Sequence, residues 1–277
     1  MADAGLQLDS SFGVNCVIWF CGLHEAEQGP TRRMVEDLQR HGRLPVPVRR
    51  YDVHTPDELL EALDAIQEGA TSGKRPVLHL DMHGHKTLGL KVGDAFIDWE
   101  SLGQALRPLN VATRNNLLVL GGACCALFAI RSVDIHSATP FFALLAPEEE
   151  VQSGFLEERV VPFYEELFRQ GGSLDTAYER LGPPFKYEHC EKLLFIVLAR
   201  YIKAGLKGKN LQERRERLLT EVFQGRGDSA PESLRQAREV LRGGLRPTQD
   251  LVDRYASVFL CGRPCSFGIA ELLEMVR

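Results

Sequence analysis

"NNLLVLGGACCALFAI", residues 115–130, decides how this chain is read. Leu117 to Leu120 form an apolar run, Gly121, Gly122 and Ala123 end it, and Cys124 and Cys125 come next, side by side. A short apolar run stopped by glycines is the pattern of a parallel strand buried on both faces. The residues directly after such a strand stand at its carboxyl end, where open parallel sheets place their sites. Three readings of the two cysteines are open at this point: small buried fillers, a metal or redox pair, or a nucleophile with a neighbour.

Working outward, the same strand pattern recurs. "NCVIWFCGL" (15–23), "VPVRRYDV" (46–53), "PVLHLDMHGH" (76–85) and "TPFFALLAP" (139–147) read as further strands. Between them "TRRMVEDLQRHG" (31–42) reads as a helix capped by Thr31. "TPDELLEALDAIQEG" (55–69) opens with a capping box, Thr55 to Glu58, with Pro56 at the first helical position. "LGLKVGDAFIDW" (88–99) reads as a hairpin around Gly93 and Asp94, followed by a helix capped by Asp98, and "CCALFAIRS" as the start of a helix. Two helices, 154–171 and 174–181, close the series, the second capped by Ser173. Strands alternating with helices over short joints predict an α/β fold, a mostly parallel six-stranded sheet with helices on both faces.

After Pro183 and Pro184 the pattern changes to amphipathic helices, expected over 188–205, 210–223 and 234–242, with a polar Gly/Pro/Ser loop at 224–233. "YASVFLCG" (255–262) reads as a final core strand. The expected organisation is a core over 1–184 and a helical insertion or cap over 185–277 that returns this one strand to the sheet.

The formal net charge of −5 gives no electrostatic reason for a nucleic-acid partner. The start, "MADAGLQLDSS", has neither a basic nor an apolar leader segment, and the apolar run from Leu117 to Ile130 is too short for a bilayer. Seven cysteines, an odd number, read with that start as reduced thiols of a cytoplasmic chain. Cys261 and Cys265 in "CGRPC" lack a second pair at zinc-site spacing, so no structural metal and no cofactor is expected.

Two strand ends carry reactive residues: His83-Gly84 after the third, Ala123-Cys124 after the fourth. If these strands are neighbours, an imidazole and a thiol meet at one sheet edge. A histidine can take the proton of a thiol or stabilise the thiolate, and backbone N–H groups of Gly84 and Cys124 could hold an oxyanion. His79 lies inside its strand and reads as packing, and His85 as a loop residue.

This arrangement resembles the caspase-like fold of clan CD cysteine peptidases, and most closely the CHAT family. There one strand ends in His-Gly and an apolar strand ends in Ala-Cys about forty to fifty residues later. Here "LDMHGH" and "LLVLGGACC" place His83 and Cys124 41 residues apart. The hairpin and helix "GLKVGDAFIDWESLGQAL", the strand "PFFALLAPEEEV" and the helices "VVPFYEELFRQGGSLDTAYERL" extend the resemblance over about residues 14–183.

The resemblance implies a cysteine endopeptidase that cleaves a protein substrate through a Cys-His dyad and an acyl-enzyme. His83 and Cys124 take the catalytic roles, Gly84 and Cys124 the oxyanion hole, and Gly122 a place in the substrate pocket; Cys125 falls on the first turn of the next helix. It further implies an effector in bacterial defence or cell death, switched on by a partner, a sensor or a cleavage. Two other classes are weighed beside it: a metal-dependent hydrolase using Asp81, His83 and His85, with Asp134 and His136 as the nearest further ligands, and an inactive caspase-like binding module.

Overall fold

Six buried residues in a row, CVIWFC, form β1 (Cys16–Cys21), and six more, PVLHLD, form β3 (Pro76–Asp81). The shorter β7 (Leu118–Gly121) and β8 (Ala143–Pro147) are also buried throughout. Such unbroken runs suit strands covered on both faces. In the computed structural model, which describes residues 8, 11–40, 42–205, 212–213, 216–220, 231–244 and 247–276, these strands lie side by side. With β2 (Val48–Asp52) and β9 (Phe185–His189) at the edges, they make a six-stranded sheet of order β2-β1-β3-β7-β8-β9. Every pairing is parallel except β8 with β9. The chain is therefore α/β with a mostly parallel sheet.

Helices α1 (Gly29–Gln39), α2 (Pro56–Thr71), α3 (Trp99–Ala112), α4 (Ser153–Leu167) and α5 (Leu174–Leu181) cover this sheet. Side chains alternate along β1: Trp19 turns toward Tyr164 of α4, whereas Cys16 and Ile18 face Ala62 and Ile66 of α2. Thr55, Asp98 and Ser173 cap α2, α3 and α5 through backbone N–H groups, as their positions predict. Thr31 does not cap. It lies inside α1, whose first turn already holds Pro30, and its hydroxyl donates to Asp81 Oδ2 at 2.6 Å.

Beyond Asp81 the chain leaves the main sheet at Met82. It forms a second, antiparallel sheet from β4 (His83–His85), β5 (Gly89–Val92) and β6 (Ala95–Ile97). The β5–β6 turn is built on Gly93 at φ +60°.

Two expectations are corrected. Residues 255–262 form no strand: Gln249–Phe259 is a helix, followed by a turn. Val252, Ala256, Phe259 and Leu260 are buried while Val258 is 48% exposed, so the apolar residues follow helical rather than alternating spacing. The sixth strand is instead Phe185–His189, and the boundary moves accordingly. One compact unit comprises Ser10–Cys190 and Val258–Pro264, so the sheet unit runs past residue 184. FKYEH was missed because its three middle positions are exposed or half-buried, as an edge strand allows, and because the preceding prolines resemble a boundary.

The second unit, Met1–Asp9 and Glu191–Ser257 with Cys265–Arg277, has helices as its regular elements among the described residues. It contains most of α6 (Cys190–Gly205), the helix Pro231–Gly244, most of Gln249–Phe259, and the helix Ile269–Met275. Phe195 and Phe267 meet edge-on with centroids 5.0 Å apart, and Glu191 accepts hydrogen bonds from the Ser266 N–H and hydroxyl. Much of the helix expected at 210–223 and most of the loop expected at 224–233 lie outside the described residues. Among the described residues no helix is long and apolar enough to cross a membrane.

Candidate active site

The carboxyl ends of β1, β3, β7 and β8 are adjacent in the sheet and supply the groups of one site. Backbone bonds tie them: the Gly22 N–H donates to Asp81 O (3.0 Å), and the Gly122 N–H to Leu80 O (2.8 Å). His83 comes after β3 and Cys124 after β7, and these strands pair directly, with Leu80 opposite Gly121.

Gly84 is the contact between the two ends. A Cβ placed on it would stand 1.9 Å from the Cys124 carbonyl oxygen, so only glycine lets the β4 backbone lie this close to the cysteine. His83 and Cys124 are thereby held on either side of one backbone contact. They do not hydrogen-bond to each other, and each has another partner.

The partner of His83 is Glu27, at the end of a short 3₁₀ turn (Glu25–Glu27) just beyond β1. Glu27 Oε1 lies 3.1 Å from His83 Nε2, and Glu27 Oε2 accepts the His24 N–H at 3.3 Å. The hydrogen bond from His83 holds the Glu27 carboxyl below its ordinary value. A carboxylate on Nε2 favours the tautomer with its proton there, leaving the lone pair on Nδ1. Sequence reasoning missed Glu27. The signal that marks His83 and Cys124, a reactive side chain soon after an apolar strand, is present for Glu27 too, beyond the end of β1.

The partner of Cys124 is Val151, in the segment after β8. The Val151 N–H donates to Sγ at 3.3 Å, and Sγ lies 3.6 Å from the Val151 carbonyl. The Cys124 N–H donates to no backbone carbonyl among the described residues, which leaves it free for an incoming oxygen.

Cys125 is not on a helical turn. It sits at φ 58°, in the left-handed region, ahead of a 3₁₀ helix (Ala126–Ser132), and its N–H donates to Glu149 O at 3.2 Å. Burial raises its pKa, and the neighbouring Cys124, Glu150 and Glu149 add to this against an opposing Lys86.

Gly122, expected at the pocket wall, turns its Cβ position toward the core. It is buried, and a Cβ there would meet His79 Nε2 at 2.8 Å. It faces the core because β7 continues its pleat through Gly122, turning that position toward the His79 ring.

The proposed metal ligands do not converge either. Asp81 is 4% exposed and accepts from the Thr31 hydroxyl and from Trp19 Nε1 (3.2 Å). His85 Nδ1 accepts the backbone N–H groups of Thr87 and Leu88, both at 3.2 Å. Asp134 accepts the His136 N–H within its own turn. Among the described residues no group of three His, Cys, Asp or Glu side chains could hold a metal ion.

His79 is packing, as its place in the strand predicts. It stacks on Trp19 with centroids 3.5 Å apart, its Nδ1 lies 3.1 Å from the Tyr164 hydroxyl, and burial pushes its pKa down to about 3.

Fold and site together define an α/β protein with a thiol and a carboxylate-paired imidazole at neighbouring strand ends. No protein-family model matches the sequence, and no curated protein matches it significantly.

Proposed function

We propose that this chain is a caspase-like cysteine peptidase related to the CHAT family. The observation that supports it most is the Gly84 contact with Cys124, which brings the backbone that follows His83 against the backbone of the cysteine at the ends of β3 and β7. Glu27 fixes the imidazole with its proton on Nε2, so that Nδ1 acts as the general base. Nδ1 takes the Cys124 proton, and the thiolate leaves Val151 to attack the scissile carbonyl.

The carbonyl oxygen becomes an oxyanion held by the N–H groups of Gly84 and Cys124. The imidazolium then protonates the departing amine, leaving an acyl-enzyme. Water, deprotonated by the same nitrogen, releases the acid and restores the thiol. The substrate is a protein, and an activating partner or cleavage raises cleavage above the level of the chain alone. The resemblance also supports a role as an effector in bacterial defence or cell death.

Incubating the full chain with a mixed peptide library and reading the products by mass spectrometry tests this. Cleavage is expected to persist in a strong chelator and to stop on alkylation or in Cys124→Ala. Chelator-sensitive cleavage restored by zinc or manganese, or full activity in Cys124→Ala, would overturn it.

A further inference from the structure

A second concavity lies at the other end of β1, on the α2 face beside the edge strand β2. A groove of about 500 Å³ opens over Cys16 and Ile18. It is open because α2 lines it with Ala62 and Ala65, one turn apart, so no long side chain fills the space. The opposite wall is β2. Its register, Ile18 with Arg49 and Phe20 with Tyr51, brings the arginine and the tyrosine to this same face. Lys74, just before β3, forms another part of the wall, its stem laid against Gly69, where a Cβ would meet Lys74 Cδ at 2.8 Å.

Three polar heads therefore border an apolar floor: the Arg49 guanidinium, the Lys74 ammonium and the Tyr51 hydroxyl. Among the described residues none of the three side chains has a hydrogen-bond or ion-pair partner, and no carboxylate lines the groove. Both cations act on the thiol at the floor. Burial raises the Cys16 pKa, and Lys74 and then Arg49 pull it back. Concave sites with apolar walls and a few convergent polar groups, at several hundred Å³, suit small ligands. Two unpaired cations with no acid beside them select a negative one.

We propose that this groove binds a small amphipathic anion, a phosphate or carboxylate head group carried on an aromatic or aliphatic body. The head group lies between Arg49 and Lys74, and the body covers Ile18 and Ile66 beside the Tyr51 ring. The site is separate from Cys124. Its floor begins at the first residue of β1, whereas the turn that carries Glu27 comes after the last, roughly 17 Å further along at the usual strand rise. It does not depend on the peptidase assignment.

Isothermal titration of the full chain with phenyl phosphate and with octanoate tests it, with inorganic phosphate and benzyl alcohol as the two halves of the ligand. One of the amphipathic anions should bind one to one, at least about tenfold more tightly than either half, because head and body are both used. Arg49→Ala with Lys74→Ala should weaken that binding about tenfold or more, the size expected for losing charge-assisted hydrogen bonds. Ala65→Trp, which fills the trough, should abolish it. Arg49, Lys74 and Ala65 are exposed, so both proteins should keep the wild-type melting temperature, checked by circular dichroism; if the tryptophan protein does not fold, the charge variant decides. No saturable binding of either anion at millimolar concentration would overturn the proposal. So would equal binding by the wild type and the charge variant, or inorganic phosphate binding as tightly as phenyl phosphate.

Discussion

His79 and His83 stand four residues apart on one run of chain and meet opposite surroundings. His79 lies mid-strand, 1% exposed, between Trp19 and Tyr164, and is held neutral by burial. His83 lies past the strand end, its side chain half exposed and paired with Glu27. Asp81 shares the first environment: burial raises its pKa against the hydrogen bonds from Thr31 and Trp19. The residue types are the same on both sides of Met82. What differs is whether the chain is still inside the sheet, and that decides which group packs and which is available for chemistry.

The comparison is broken most severely at Gly122. Because its Cβ position points at His79, Gly122→Asp would put a carboxylate into the buried cluster. A loss of about 3–5 kcal/mol in urea unfolding is expected, the size of an uncompensated buried charge. A stable Gly122→Asp protein with altered cleavage preference would return this residue to the pocket wall.

Next in size is the contrast between the histidines. His79→Ala should cost about 2–4 kcal/mol, as a large buried ring replaced by a methyl group does. His83→Ala should cost within about 0.5 kcal/mol, because it is a surface change. Equal losses in the two variants would erase the distinction.

The dependence on pH sharpens it further. The unfolded chain protonates His79 as pH falls through 6.5, while the folded chain resists until about 3. Stability from this group is therefore complete above 6.5 and lost progressively below it. His79→Ala should lose less stability than wild type between pH 6.5 and 4. Asp81 works the other way: its pKa is raised in the folded state, so its contribution is full below 3.8 and lost as pH rises through the folded value. Asp81→Asn, which keeps an oxygen for Thr31 and Trp19, should remove that opposing slope in unfolding curves measured across the same range.

The smallest effect on stability is expected at Glu27→Gln. This pair is largely exposed, so solvent screening leaves under about 0.5 kcal/mol. Reactivity should change more: alkylation of Cys124 is expected to slow about tenfold, because the imidazole loses the carboxylate that fixes its tautomer. An unchanged rate would make Glu27 a surface partner and nothing more.

The main strands were legible because parallel strands announce themselves as apolar runs, and CVIWFC, PVLHLD and LLVLGG did so. His83 and Cys124 could be placed at strand ends for the same reason, and the sheet order makes those ends neighbours. The edge strand FKYEH was not legible, since its middle positions are partly open to solvent, nor was the helix through YASVFL, whose β-branched and aromatic residues mask helical spacing. Glu27, Val151 and the core-facing Gly122 depend on how loops fold over the strand ends, and periodicity carries no information about that. Cys125 reads as part of a helix start because a left-handed turn at a cysteine has no sequence signature.

The assignment of Cys124 as a nucleophile served by His83 is tested most directly by labelling the native chain with limiting iodoacetamide and locating the label by mass spectrometry. Its competitors are weak: Cys16, Cys21 and Cys190 are buried, and burial raises the pKa of Cys125, Cys261 and Cys265, the last two to about 11. Cys124 should be labelled at least about tenfold faster than any other cysteine, and His83→Ala should slow it by a similar factor, the scale of a lost activating base. Faster labelling of Cys125, or a Cys124 rate indifferent to His83, would contradict the assignment.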